Sequence, residues 1–167
     1  MDIAKSPSSH PKENAMERNI ITKQIQDDLK DALKARDKQR ISTLRMLASA
    51  LKNAEIEARE ELEKDKELAV VSGYARRCRE SITEFEKGGR DDLVAKEKYE
   101  LDIAMTYLPE QLGADEIEAE AVKVIEEIGA SGKRDMGRVM SEMMKRLKGK
   151  ADGSTVKNTV SDLLGKG

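Results

Sequence analysis

The chain has 167 residues, of which 38% are charged and 2% aromatic, and it contains no Trp. This length suffices for one ordinary domain or two small helical ones, and the composition favours long helices over a β-sandwich, which needs more aromatic and β-branched residues. The lone Cys78 excludes an intramolecular disulfide and a thiol cluster for zinc, and the lone His10 leaves little material for Ser-His hydrolysis.

The N-terminal segment and the longest apolar run bear on targeting. Residues 1–15 hold two prolines, no apolar stretch and no arginine, so they resemble neither a secretory signal nor a mitochondrial presequence. We predict a disordered leader there, with Met16 beginning the folded part. The longest apolar run, at 68–71, has about four residues, far short of the roughly 20 that cross a bilayer. We therefore expect a cytoplasmic protein that uses no membrane, metal or cofactor.

Helical spacing of apolar residues begins soon after the leader. The first series predicts a helix over about 21–36, and it consists of Ile21, Ile25, Leu29 and Leu33. The second series predicts a long helix that continues to about residue 60, and it consists of Ile41, Leu44, Ala48 and Leu51. A third series alternates steps of three and four, which is typical of a seam packed against another helix: Leu68, Val71, Ala75, Cys78, Ile82 and Phe85.

Glycine and proline mark the ends of the next elements. Gly88-Gly89 ends the third helix, and Asp91 or Asp92 can cap a fourth helix that runs to about Met105. Pro109 then turns the chain, because it lacks the amide hydrogen that a continuing helix needs. Beyond it, three shorter amphipathic helices are predicted: one with Ile117 to Ile128, one over 135–147, and one that Ser154 caps.

No segment alternates like a β-strand, so we predict an all-α protein of two helical subdomains. The boundaries are a leader at 1–15, an N-terminal subdomain of longer helices at 16–106, and a C-terminal three-helix subdomain at 107–167.

The basic residues are concentrated near the C-terminus. Of the 31 Lys and Arg and the 33 Asp and Glu, nine basic and four acidic residues lie in 129–167, against 22 and 29 in residues 1–128. An anionic partner is therefore expected at the C-terminal end.

The 135–147 helix separates its apolar and basic residues. Met136, Met140, Met143 and Leu147 fall on one face, which favours packing against the neighbouring helices over a Met-lined groove for a partner. Gly137 is expected to allow close helix approach. The opposite face carries basic residues, which are either merely solvated or bind phosphates: Arg134, Arg138, Lys145 and Lys148.

The segment LKGKADGSTVK favours the phosphate interpretation. It places Lys148, Lys150 and Lys157 around two glycines, and the backbone amides near Ser154 are candidates for holding a phosphate oxygen. The segment has no aromatic residue for base stacking, so RNA recognition here is expected to use shape and backbone.

Several segments together resemble a known family. ALKARDKQRISTLRMLASALKNAEIE, ESITEFEKGGRDDLVAKEKYE, YLPEQL, DMGRVM and LKGKADGSTVKNTVSDLL occur in the order and spacing of the YqeY-like family. The C-terminal part of this family is similar to the tail domain of GatB, the B subunit of the tRNA-dependent amidotransferase. The resemblance covers about residues 17–165.

The resemblance implies an all-helical fold and a role in holding tRNA. It also links the chain to glutamine-dependent carbon-nitrogen ligases, but the catalytic body of GatB has no counterpart here. The motif positions are structural, and they are Tyr107, Leu108, Pro109, Gly137, Gly149 and Gly153. We expect a monomeric, non-catalytic accessory protein that binds tRNA or associates with the amidotransferase or another translation component.

Two other functional classes remain to be weighed. A helical protein-interaction module without RNA binding would present the 68–85 seam to a partner, although packing of that seam inside the chain is favoured. An enzyme would need acid-base residues in a cleft, and Tyr99, Tyr107 and Asp102 are better explained by burial of the tyrosines at the subdomain joint.

Overall fold

The computed structural model describes residues 17–166, so the predicted leader and His10 lie outside the described residues. The regular elements in this range are seven α-helices and one short 3₁₀ helix, and the all-α prediction is confirmed. The one β pairing among these residues is an isolated bridge between Arg18 and Glu63. Across residues 17–166, every helix is too short or too polar to span a bilayer.

The chain divides into two compact units, the first ending at Tyr107 and the second beginning at Leu108. The first unit contains α1 (Ile20–Ala35), α2 (Lys38–Ala58), α3 (Lys64–Lys87) and α4 (Asp91–Met105). The second unit contains α5 (Ala114–Ile128), the 3₁₀ helix (Lys133–Asp135), α6 (Met136–Leu147) and α7 (Gly153–Gly165).

The predicted seam of α3 lies inside the first unit. Leu68, Val71, Ala75 and Cys78 are buried, while Ile82 and Phe85 are half-buried toward the end of the helix. The neighbours of α3 are α1, α2 and, most extensively, α4. The seam is therefore used for internal packing, and it leaves no long apolar face of α3 for a partner.

The apolar series of α1 is only partly buried. Ile21 and Ile25 are buried as the pattern predicts, but Leu33 is 46% exposed and Ala32 takes its place in the core. The cause is the helical period: each step of four residues advances by about 40° beyond a full turn, so three steps carry Leu33 about 120° away from Ile21. Leu33 consequently lines the outer surface of this unit.

A buried carboxylate closes the start of α1. Glu67 of α3 is 0% exposed, and it accepts hydrogen bonds from the backbone N–H groups of Ile21 (3.1 Å) and Thr22 (2.9 Å) and from the Thr22 hydroxyl (2.8 Å). The N-cap residue Asn19 makes no side-chain bond to its own helix, because its Oδ1 accepts from the amide of Leu62 instead. A distant side chain therefore satisfies amides that a local cap normally serves.

The three helices of the second unit enclose a separate core. Val139, Met143 and Leu147 of α6 form its centre, and residues of the flanking helices surround them: Ile117, Ala121 and Val124 of α5, and Val156, Val160 and Leu164 of α7. Every one of these positions follows the three-and-four spacing of an amphipathic helix.

Candidate nucleic-acid interface

The methionines of α6 serve mainly to fill the core of the second unit. Met143 is buried, and Met136 and Met140 pack partly buried around it. The predicted stripe omitted Val139, which is buried at the centre, and Met144 lies on the exposed edge of the helix. These contacts indicate that the methionine face of α6 packs against the core of the second unit.

The opposite face of α6 is exposed and basic. Arg138 and Lys145 are exposed, about half a turn from the buried side of α6, and Arg134 is exposed in the 3₁₀ helix that precedes it. The sequence prediction placed them there, but their electrostatic environments differ.

Arg138 is engaged in fastening the loop between α5 and α6. Its guanidinium donates to Asp135 Oδ1 (3.2 Å) and to the backbone carbonyl of Ile128 at the end of α5 (3.1 Å). The other Asp135 oxygen accepts from the amide of Ser131 (3.0 Å), so this carboxylate makes no capping hydrogen bond to α6 although Asp135 is its N-cap residue. Although 62% exposed, Arg138 is partly neutralised and is a weaker phosphate ligand than predicted.

Arg146, which the sequence prediction did not select, is the most strongly neutralised cation of this helix. It donates to Glu142 on α6 (3.0 Å) and to Glu120 (3.2 Å) and Glu127 on α5. The hydrogen bond from Arg146 lowers the pKa of the Glu127 carboxyl, and the three carboxylates raise the pKa of Arg146. The spacing of four residues between Glu142 and Arg146 predicts their ion pair from the sequence. The pairs of Arg146 with Glu120 and Glu127 depend instead on the packing of α5 against α6.

The loop after α6 is fastened to the YLPEQL segment. Gln111 Nε2 donates to the carbonyls of Pro109 and Gly149, each at 2.8 Å, and the amide of Leu112 donates to the Lys150 carbonyl at 2.8 Å. These contacts give a physical reason why YLPEQL and LKGK occur together in one chain. They also hold the Lys150 backbone while its side chain remains exposed.

The start of α7 differs from the prediction. The N-cap is Asp152, whose Oδ2 accepts from the amide of Thr155 (3.2 Å), whereas Ser154 lies inside the helix. A carboxylate therefore occupies the position proposed for a phosphate oxygen, and it would repel one. The prediction that Ser154 caps this helix is wrong: Asp152 and Ser154 are both cap-type residues, and the earlier one, Asp152, is the cap.

The helix α7, which carries Lys157, packs against both α6 and the 3₁₀ helix. A Cβ on Gly153 would lie 3.9 Å from Met144 Cε, and one on Gly165 would lie 3.7 Å from Lys133 Cε. Lys157 comes one helical turn after Gly153, the glycine that lies near Met144 of α6, and its side chain is exposed.

Four of the predicted cations form what we call the cationic strip: Arg134, Lys145, Lys150 and Lys157. All four are exposed, and among residues 17–166 none of their side chains forms an ion pair or a hydrogen bond. Lys148 is exposed as well but has a partner, so it is not counted in the strip. The carboxylates of α5 lie beside α6, where Arg146 holds two of them.

Two of the three motif glycines, Gly137 and Gly149, have different structural roles. A Cβ at Gly137 would meet no atom within 4 Å, because this exposed residue faces away from the neighbouring helices, and the expected close helix approach does not occur there. Gly149 has φ of +80°, in the left-handed region that favours glycine.

We therefore expect opposite effects of Gly→Ala at these two positions. Gly137→Ala should raise the free energy of unfolding by about 0.5 to 1 kcal/mol, because alanine is the better helix former. Gly149→Ala should lower it by about 1 kcal/mol, because alanine is strained at that φ. Urea denaturation of the two variants beside the wild type measures both changes, and a shift of the same sign in both would contradict this assignment.

The tyrosines proposed for a cleft in the first unit are separately engaged. Tyr107 donates to the Asp28 carboxylate, and burial, with that bond, raises the pKa of its phenol. Tyr99 is half-buried and Asp102 is exposed. A phenol with a raised pKa stays protonated at neutral pH, so Tyr107 is not a base.

One cluster in the first unit contains ligand-type atoms. Cys78, Glu97 and Glu100 bring a thiol and two carboxylate oxygens within 4.8 Å of one another. Burial raises the pKa of Cys78 to about 12 and that of Glu97 above its usual value, and Tyr74 donates to Glu100 at 3.1 Å. The raised pKa of this buried thiol lowers its reactivity as a nucleophile.

Comparison with known proteins identifies the family. The family model described as Yqey-like protein matches residues 22–164. The chain is 31% identical over 150 residues to "Altered inheritance of mitochondria protein 41, mitochondrial" of Pyrenophora tritici-repentis, which covers 88% of this chain and 82% of that protein. The proteins of the same name from Kluyveromyces lactis and Eremothecium gossypii are 33% and 38% identical, over 79% and 50% of this chain and 69% and 46% of their own lengths.

The names of these relatives correct the predicted location, and the range that the family model matches establishes the predicted family. The relatives are named as mitochondrial proteins, which contradicts the predicted cytoplasmic location. That prediction rested on residues 1–15, which do not resemble a presequence, and on the lone cysteine, which argues against disulfides but does not distinguish one reducing compartment from another. Because the family model spans most of both helical units, the chain belongs to the YqeY-like family.

Proposed function

We propose that this protein is a non-catalytic accessory protein that binds folded tRNA through the cationic strip of its second unit. The support comes from two independent sources. One is the similarity of the C-terminal segments to the tail domain of an amidotransferase subunit that works on tRNA. The other is the electrostatic environment of the strip residues.

The carrying observation is that the four strip cations are exposed and, among residues 17–166, unpaired, whereas Arg138 and Arg146 are paired within the protein. Arg146 and Arg138 use their charge inside the protein, on carboxylates and a carbonyl. Arg134, Lys145, Lys150 and Lys157 have no such partner among residues 17–166, so their charge is available to phosphates.

The chemistry of the second unit favours recognition of backbone and shape over sequence. Residues 108–167 contain no Phe, Tyr, Trp or His, so this unit has no ring on which an unpaired base can stack. Lys and Arg without aromatic partners suit the phosphates of a folded, largely double-helical RNA. The acidic α5 would repel RNA phosphates, which favours contact through the strip.

Binding of the wild-type protein to labelled tRNA tests the proposal. If four cations each meet a phosphate, the affinity should fall about 100-fold between about 50 and about 200 mM salt, because each contact releases a counterion. Fluorescence anisotropy with a mitochondrial and a cytoplasmic tRNA measures this, since the relatives are named mitochondrial proteins. Absence of binding at low salt, or an affinity that does not respond to salt, would overturn the proposal.

A further inference from the structure

The first unit has an open groove of about 720 Å³ along the outer face of α2. The opposite face of this helix carries Leu44, Leu47 and Leu51 in the core. Lining residues recur in pairs along α2 from Lys38 to Asn53, so the groove extends over about four helical turns, or about 22 Å.

The floor of the groove is apolar and open to water. Leu33 at the end of α1 is 46% exposed and Met46 is 50% exposed, and the half-buried Ile41 lies between them along the groove. Beyond Met46 the groove is lined by residues with small side chains, such as Ser49 and Ala50. Large aliphatic side chains exposed together in a concave surface are typical of a binding groove.

The charged residues of the groove all have the same sign. Lys38, Arg45 and Arg77 line it, and no carboxylate does, although the chain contains 33 acidic residues. Among residues 17–166 these three cations form no ion pair, and Arg77 lies over the ring of Tyr74, 5.9 Å from its centroid. An occupant of the groove must therefore be apolar on one side and acidic at its edges.

We propose that this groove binds an acidic amphipathic helix of a partner protein. A helix of about four turns matches the length of the groove, its apolar stripe would cover Leu33, Ile41 and Met46, and flanking carboxylates would meet Lys38, Arg45 and Arg77. The apolar floor disfavours nucleic acid, whose phosphates gain nothing from aliphatic side chains. This site lies in the first unit and is independent of the cationic strip.

A designed peptide tests the groove directly. The probe is a fluorescent helical peptide of about four turns, with leucines along one stripe and glutamates on both flanks. We expect salt-sensitive binding to the wild-type protein and a roughly tenfold lower affinity for Arg45→Glu. Lys23→Glu, which makes the same charge change at an exposed position of α1 away from the groove, should bind like the wild type.

Two control peptides and one further measurement complete the experiment. A peptide with lysines in place of the glutamates, or with the leucines scattered around the helix, should bind at least tenfold more weakly. Equal binding of either control peptide, or equal binding by Arg45→Glu and Lys23→Glu, would overturn the proposal. So would a self-association that Arg45→Glu abolishes, because the occupant would then be a second copy, or binding only to vesicles of anionic lipid.

Discussion

Glu67→Ala is expected to lower the free energy of unfolding by about 3 to 5 kcal/mol. The wild-type carboxylate is fully buried and accepts three hydrogen bonds from the first turn of α1. Removing it leaves the buried N–H of Ile21 and the half-buried N–H and hydroxyl of Thr22 without their acceptor, and it creates a cavity. Each unsatisfied buried donor costs about 1 to 3 kcal/mol, so the combined loss is large for a single substitution.

Urea denaturation followed by circular dichroism measures this loss. Glu67→Gln keeps one acceptor oxygen and should have an intermediate effect. The matched control is Glu84→Ala on the same helix, where the carboxylate is exposed and pairs only with Lys87; its effect should stay within about 0.5 kcal/mol. A Glu67→Ala loss no larger than that of Glu84→Ala would show that the cap does not stabilise the fold.

The positions of the helices could be predicted from the sequence because local signals determine them. The first helix was predicted over about 21–36 and runs Ile20–Ala35, and the second was predicted to reach about residue 60 and ends at Ala58. The spacing of apolar residues and the positions of proline and glycine act on the backbone within a few residues. These signals can therefore be found in the sequence without knowledge of the tertiary structure.

The role of Glu67 was not predictable in the same way. In the sequence it belongs to the charged tract EIEAREELEKDKE, where carboxylates are normally solvated. Its hydrogen-bond partners lie 45 and 46 residues away, at the start of α1, and only the packing of α3 against α1 brings them together. A buried acid of this kind leaves no periodic signal.

The positive charge of the candidate interface could be predicted from the sequence, but the hydrogen bonds and ion pairs of its individual side chains could not. Helical spacing correctly separated the methionine face of α6 from its basic face. It did not reveal that Asp135 and the end of α5 hold Arg138, or that Asp152 caps α7. Those pairings depend on which of several nearby polar groups the fold brings into range.

Reversing two charges of the cationic strip should weaken tRNA binding by about 10- to 100-fold. Lys145→Glu/Lys157→Glu removes two phosphate ligands and adds two repulsive charges on neighbouring helices. The salt dependence should also become shallower, by about one unit of slope for each lost phosphate contact. Arg138 is unsuitable for this test, because its bonds to Asp135 and Ile128 hold a loop and its loss would perturb the fold.

The double variant Lys23→Glu/Lys123→Glu provides the matched control. It changes the net charge by the same amount, but Lys23 lies on α1 and Lys123 lies on the acidic α5, paired with Glu120. If the strip binds the RNA, this control should keep most of the wild-type affinity while the strip variant loses it. If the two variants lose affinity equally, binding follows net charge alone, and the assignment of the strip as the tRNA-binding surface is wrong.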